Sequence, residues 1–141
     1  MKISLPEFLK GKVTVKIYKR WLQRKAAAHV RRDRKRSIGD ISVTSYKELI
    51  HEAVLRSRGL DAYTGDTLNW QLISKYRNEK AAQMRYKKRF NFLPTVDHCH
   101  EYKKKTFKIC SWITNRMKSD MTEKEFIKRC KKVISHLSHA Q

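Results

Sequence analysis

The sequence has few acidic residues for its size. Among its 141 residues, 13 Asp and Glu stand against 34 Lys and Arg, so the formal net charge is +21 at pH 7. A compact chain with this imbalance repels itself unless an anionic partner is usually near, and nucleic acid is the first candidate. The scarcity of acidic residues therefore favours a nucleic-acid-binding protein.

Cysteine pairs and long apolar runs are absent from the sequence. Cys99, Cys110 and Cys130 are odd in number and show no CxxC spacing, so neither a disulfide framework nor a zinc knuckle is indicated. No apolar run approaches the roughly 18 residues that would indicate a membrane span. The start, MKISLPEFLKG, lacks the continuous apolar core of a signal peptide. We expect a cytoplasmic protein with reduced thiols and no membrane partner.

The apolar residues that are present divide the chain into two regions of one modest domain. With 40% apolar residues the chain can bury a core. In a basic helical region, residues 1–60, apolar residues at helical spacing predict one helix over Thr14–Arg36 and another over Ser45–Ser57. A turn at residues 37–40 separates them. A third helix is predicted from Trp70 to about Arg89, at the start of the second region, residues 61–141.

Two short strands are predicted in this second region. Pro94 disfavours a helix at the residue before it, and Thr95–Cys99 is predicted to be extended. The alternation in Phe107–Cys110 suits an antiparallel partner strand, with EYKKKT as the connecting loop.

Two further helices follow the strands. One is predicted over Trp112–Lys118, and Thr122 with Glu125 forms a capping box that begins a last helix. The whole pattern predicts an α+β fold that is mainly helical.

The basic residues cluster in the run HVRRDRKR, which ends the first predicted helix. Such a run can follow a phosphate backbone along a helix face, although cations also stabilise the C-terminal end of any helix. Further clusters at residues 87–89, 103–105 and 128–132 favour the first interpretation. The residues expected to bind nucleic acid are Arg31, Arg32, Arg34, Lys35, Arg36, Lys87, Lys88 and Arg89.

Asp97 and His98 are the residues that suggest chemistry. A carboxylate suits a hard divalent cation, and a neutral imidazole can take a proton from water. Adjacent side chains of a strand point to opposite faces, so a shared site would need a twist or a strand end. A lone Asp-His pair is ordinary, so without further residues two polar residues at the edge of a strand are the favoured interpretation.

Residues on both sides of this pair extend it into a longer pattern. PTVDH, a strand ending in ICSW and the segment TNRMKSDMTEKEF resemble the HNH, or ββα-metal, endonucleases. DAYTGDTLNW is similar to the segment that precedes the metal finger in that family. The resemblance covers about half of the chain, Asp61 to Val133. It implies that residues 61–141 are an HNH-like nuclease region and that the protein is a metal-dependent DNA endonuclease, a phosphodiester hydrolase.

The resemblance also assigns roles to individual residues. It implies that Asp97 and Asn115 bind Mg²⁺ or another divalent cation and that His98 is the general base that activates water. Lys118 is expected to face the scissile phosphate or to flank it. Asp120 is expected to make a structural contact at the helix terminus.

The sequence departs from the family pattern at two places. Many members bind a structural zinc through two CxxC pairs, but the corresponding segments here are residues 62–65 and 111–114, without cysteine. No structural zinc is expected, and apolar packing must hold the finger together. The residues expected to provide it are Tyr63, Leu68, Trp70, Phe107, Ile109, Trp112 and Phe126. The central asparagine, which usually steadies the loop in this family, is also missing, and Thr106 is the residue nearest its position. The resemblance therefore leaves open what orients His98.

These departures leave other functions open. The main alternative is a non-catalytic nucleic-acid-binding protein that retains the HNH fold, and another is a structural protein that assembles with a ribonucleoprotein. A nuclease of this size that makes double-strand breaks is expected to act as a homodimer, whereas one copy is expected to nick DNA.

Overall fold

The computed structural model describes residues 2–36, 41–99 and 106–139. Two strands form an antiparallel sheet, and the α-helices and strands in chain order are α1 (Val15–Lys35), α2 (Val43–Ser57), β1 (Pro94–Cys99), β2 (Thr106–Ser111), α3 (Trp112–Lys118) and α4 (Glu123–His139). The prediction of a mixed α+β, mainly helical fold is confirmed. The predicted turn at residues 37–40 lies outside the described residues, and so does the loop EYKKKT with its lysines, except for Thr106, the first residue of β2.

Both N-terminal helices begin at a side chain that caps the first turn. The Thr14 hydroxyl accepts a hydrogen bond from the Ile17 N–H (3.2 Å), and the Ser42 hydroxyl accepts one from the Ser45 N–H (3.1 Å). Such caps satisfy backbone donors that have no partner within the helix. α1 closely matches its predicted range, and α2 starts two residues earlier than predicted.

The predicted helix from Trp70 to Arg89 is wrong. This segment contains only short 3-10 turns, at Trp70–Leu72, Asn78–Lys80 and Lys87–Phe90. Ser74 and Arg85 have φ values of 66° and 63°, and an α-helix cannot continue through that left-handed region. The charged run also has no continuous apolar stripe, and a helix in water gains most of its stability by packing such a stripe.

The sheet register places Asp97 opposite Lys108 and His98 opposite Phe107. Because side chains alternate along a strand, Asp97 shares one face of β1 with Thr95, and His98 shares the other with Val96. α2 packs against β2, and α1 packs against α2. The His98 face is therefore turned toward the N-terminal helices.

One buried cluster joins the two regions of the chain. Its members come from α1, α2, the Leu68–Ile73 segment and both strands, and they include Tyr18, Trp21, Tyr46, Ile50, Trp70, Val96, Phe107 and Ile109. Burial of this apolar surface is the main favourable contribution to folding. The position of β1 therefore depends on the N-terminal helices as well as on β2.

The buried carboxylate of Asp61 joins residues 62–65 to residues 111–114, the two segments that correspond to the zinc-binding positions of the HNH family. Asp61 Oδ1 accepts hydrogen bonds from the N–H groups of Tyr63 (2.8 Å) and Thr64 (3.2 Å). Its Oδ2 accepts from the Ser111 N–H (3.0 Å) and the Thr114 hydroxyl (2.8 Å). Burial alone would raise the pKa of Asp61, but these hydrogen bonds outweigh burial and lower it.

The expectation that apolar packing holds this region is therefore incomplete. Of the aromatic and aliphatic residues expected to provide it, Leu68, Trp70, Phe107 and Ile109 are buried, whereas Tyr63, Trp112 and Phe126 are only half-buried. Asp61 supplies a polar connection in addition to this packing.

The last helix begins at the predicted capping box. The Thr122 N–H donates to Glu125 Oε2, and the Glu125 N–H donates to the Thr122 hydroxyl, both at 3.2 Å. α4 buries none of its described residues. Among the helices in the described ranges, none is long and apolar enough to cross a membrane.

Candidate active site

A groove of about 560 Å³ lies between β1, α3 and the C-terminal end of α1. Arg32 and Arg36 of the basic run border it on the α1 side. All six residues that the resemblance singles out for metal binding, catalysis or support also line it: Asp97, His98, Thr106, Asn115, Lys118 and Asp120. Residues that are far apart in the sequence are thus brought to one concave surface.

Asp97 is buried in the wall of the groove and held from two sides. Its Oδ2 accepts a hydrogen bond from the Tyr63 hydroxyl at 2.5 Å and lies 3.0 Å from Lys118 Nζ. Burial and the carboxylate of Asp97 raise the pKa of Tyr63, so the phenol keeps its proton and remains a donor. Both contacts go to Oδ2, so within the described residues Oδ1 is the oxygen left to bind a cation.

Asn115 of α3 is oriented by Thr95, which lies on the same face of β1 as Asp97. Its side-chain N–H donates to the Thr95 hydroxyl at 3.3 Å, and that hydroxyl donates to the Cys110 carbonyl oxygen at 2.9 Å. With the amide nitrogen directed at Thr95, the amide oxygen is the atom available to a ligand in the groove. Asp97 and Asn115 therefore both present an oxygen atom near the same strand.

These two oxygens fit a magnesium-like cation. Mg²⁺ prefers hard oxygen ligands and usually keeps several waters, so that one or two protein oxygens plus substrate phosphate complete its octahedron. In residues 2–36, 41–99 and 106–139 there is no group of three or more His, Cys, Asp and Glu that could hold a metal ion. Within the described residues, such a site would therefore depend on Asp97 and Asn115, with further oxygen ligands completing it.

Lys118 is buried beside Asp97 instead of extending into solvent. Its side chain is only 5% exposed, and its ammonium also lies 5.8 Å from the centre of the Tyr63 ring. A buried ammonium group is costly unless it is paired. The expected phosphate-facing residue thus neutralises the carboxylate that is expected to bind the cation.

His98 projects from the opposite face of β1 and is held by residues of the N-terminal helices. Its Nδ1 lies 3.2 Å from Asp33 Oδ2, and the same oxygen accepts a hydrogen bond from the Tyr46 hydroxyl at 2.5 Å. The ring stacks on Phe107 with 4.8 Å between centroids, and the His29 ring is nearly perpendicular to it with 5.9 Å between centroids. Burial is the main reason that the pKa of His29 is lowered to about 3, so this neighbour is neutral.

Asp33 is the residue of this site that sequence reasoning missed. It belongs to α1 and is 65 residues from His98 in the sequence. The one available signal was that Asp33 is the only acidic residue in HVRRDRKR. In the structure its side chain is buried while its basic neighbours are exposed. Burial can be read only from the structure.

Thr106 and Asp120 lie at the ends of the elements that frame the groove. The Thr106 hydroxyl donates to the Cys99 carbonyl oxygen at 3.3 Å, which ties the ends of β1 and β2 together. Asp120 follows α3 and is exposed.

The basic residues predicted to bind nucleic acid fall into two sets. Arg31, Arg32, Arg34, Lys35 and Arg36 are all exposed at the C-terminal end of α1, and two of them line the groove. Lys87, Lys88 and Arg89 are exposed on a 3-10 turn and do not line it. The geometry therefore favours the α1 set for contacts near the proposed chemistry.

Comparison with protein-family models, curated proteins and solved structures gives no match for this chain. The interpretation of the groove therefore depends on its residues and their geometry.

Proposed function

We propose that this protein is a metal-dependent DNA endonuclease of the HNH type, with its active site in the groove. The supporting observation is that Asp97, His98 and Asn115 line one concave surface together with Arg32 and Arg36. The elements β1, β2 and α3 follow one another in the order expected of a ββα-metal finger.

Each residue then has a definite task. His98, as a neutral imidazole, accepts a proton from the attacking water. Asp97 Oδ1 and the Asn115 amide oxygen hold a divalent cation, which when bound stabilises charge on the leaving oxygen. Arg32 and Arg36 attract the phosphate backbone toward the groove.

Nicking of supercoiled plasmid DNA tests this proposal. We expect the wild-type protein to nick DNA with Mg²⁺ or Mn²⁺ and not with EDTA, and His98→Ala to lower the rate by about 10²- to 10⁴-fold. His136→Ala is the matched control, because His136 is exposed on α4 and does not line the groove. Absence of nicking by the wild type, or equal rates for wild type and His98→Ala, would refute the nuclease mechanism.

The contact between Lys118 and Asp97 favours a second candidate function, a nucleic-acid-binding protein that does not cleave. With Nζ at 3.0 Å, the ammonium already supplies a positive charge to the carboxylate. On this hypothesis the basic surface binds nucleic acid and the groove binds no cation. DNA binding without nicking, together with no change in thermal stability on addition of Mg²⁺ or Mn²⁺, would support it against the nuclease.

A further inference from the structure

The side chain of Asp33 connects the basic helix α1 to the proposed general base. Asp33 is 1% exposed and His98 is 8% exposed, and Asp33 Oδ2 lies 3.2 Å from His98 Nδ1. We propose that Asp33 is a positioning residue that fixes the tautomer and orientation of His98. This inference rests on the proposed nuclease function and assigns to Asp33 the task left open by the missing central asparagine.

The groups that contact Asp33 determine which ring nitrogen of His98 holds the proton. The Tyr46 hydroxyl donates to Oδ2, and burial together with Asp33 raises the pKa of Tyr46, so the phenol stays protonated. A carboxylate can only accept hydrogen bonds, so the Nδ1 atom that faces it must be protonated. In the neutral imidazole the basic lone pair is then on Nε2, the nitrogen that accepts the proton from water.

Packing alone does not fix this arrangement. Phe107 stacks on the His98 ring at an interplanar angle of 25°, and the ring of His29 lies edge-on at 87°. These contacts define the plane of the imidazole, but rotation about the bond to the ring has two broad, similar minima. The contact between Nδ1 and the Asp33 carboxylate selects one of them.

The alternative role for Asp33 is a purely structural contact with Tyr46. The tautomer of His98 distinguishes this role from the positioning of His98. In protein labelled with ¹⁵N-histidine, long-range ¹H–¹⁵N spectra identify the protonated nitrogen of a neutral ring. We expect the wild-type His98 to be protonated at Nδ1, and Asp33→Asn to shift the population toward the tautomer protonated at Nε2. A wild-type ring protonated at Nε2 would overturn the inference, and this result requires neither cleavage nor a folded variant.

Single-turnover nicking provides the second measurement. Replacing the carboxylate that orients a catalytic histidine by an amide can lower the rate by about 10⁴-fold in serine proteases, and we expect Asp33→Asn to lower it by about 10²- to 10⁴-fold without weakening DNA binding. Asp33→Glu, which keeps a carboxylate, should recover at least about tenfold of that loss. Tyr46→Phe, which leaves the Asp33–His98 contact in place, should lower the rate by less than about tenfold, since it removes one neutral donor.

The outcomes separate this inference from the proposed function. Equal nicking rates for wild type and folded Asp33→Asn would overturn the role of Asp33 while the nuclease stands. A wild type that does not nick DNA, but whose His98 is protonated at Nδ1 and changes tautomer in Asp33→Asn, would refute the nuclease and leave the positioning contact supported.

Discussion

Replacing Lys118 by methionine tests whether the buried ion pair occupies the place of a divalent cation. Methionine keeps the length and apolar stem of lysine and removes the charge. Lys118 Nζ and Asp97 Oδ2 are 3.0 Å apart, and both side chains are less than a tenth exposed. At an effective dielectric constant of about 20, this separation corresponds to an attraction of about 5.5 kcal/mol before the cost of removing both charges from water.

The expected loss of stability follows from the carboxylate that remains. Removing one partner of a buried pair leaves an uncompensated charge, and such changes destabilise proteins by about 3 to 5 kcal/mol. The Tyr63 hydroxyl still donates to Asp97 in the variant, so we expect the lower end, about 3 kcal/mol. A cation that binds Asp97 and Asn115 would replace part of the missing positive charge.

Thermal unfolding with and without divalent cation measures this exchange. We expect Mg²⁺ or Mn²⁺ to raise the Tm of Lys118→Met more than that of the wild type, because in the variant no ammonium competes for the carboxylate. Lys118→Met combined with Asn115→Ala should lose most of this gain. Equal Tm increases for wild type and Lys118→Met would show that the ammonium and the cation do not compete, and the reasoning would be wrong.

The remaining predictions concern stability and nucleic-acid binding. Asp61→Asn should destabilise the protein at pH 7 by about 3 kcal/mol in urea unfolding, because an amide turns donor hydrogens toward groups that themselves donate. Because the pKa of Asp61 is lowered in the folded state, its contribution to the free energy of unfolding is fully present above the unfolded-state pKa of about 3.9. This contribution is lost as the pH falls through the lower folded-state pKa. A stability difference between Asp61→Asn and wild type that persists undiminished at pH 2 would contradict this reasoning. DNA binding measured by fluorescence anisotropy at several salt concentrations tests the arginines of the groove. In the Arg32→Ala, Arg36→Ala double variant the slope of log affinity against log salt should fall by about 2. Lys2→Ala is the control, because Lys2 lies outside the groove and its removal keeps the contribution of both arginines to the slope. An unchanged slope in the double variant would show that the two arginines do not contact phosphate.

The elements that sequence analysis predicted well are those determined by local signals. The cap at Thr14 and the capping box at Thr122 and Glu125 lie within three residues of the groups they satisfy. The strands were predicted from alternation and from Pro94. By contrast, the segment from Trp70 to Arg89 contains good helix formers but buries only scattered residues, so no packed apolar stripe stabilises a helix there.

The buried polar contacts could not be predicted because they join distant parts of the chain. The turn DAYTG predicts no more than that Asp61 bonds to nearby N–H groups, and its hydrogen bonds to Ser111 and Thr114 span 50 and 53 residues. Asp33 stands among basic residues, where a solvated ion pair along the helix is the ordinary expectation. The periodicity of the sequence does not distinguish a solvated aspartate on a helix from one whose carboxylate faces a histidine on another element.

The division of Asp97 and His98 between two faces of β1 explains why both halves of the chain are needed for the proposed site. Adjacent side chains of a strand point to opposite faces, so the two residues are supported by different layers. Tyr63 and Lys118 contact Asp97 from the β2–α3 side, and Asp33 contacts His98 from α1. On the proposed function, the N-terminal helices would therefore do more than present basic residues to DNA, because α1 also supplies the carboxylate that faces His98.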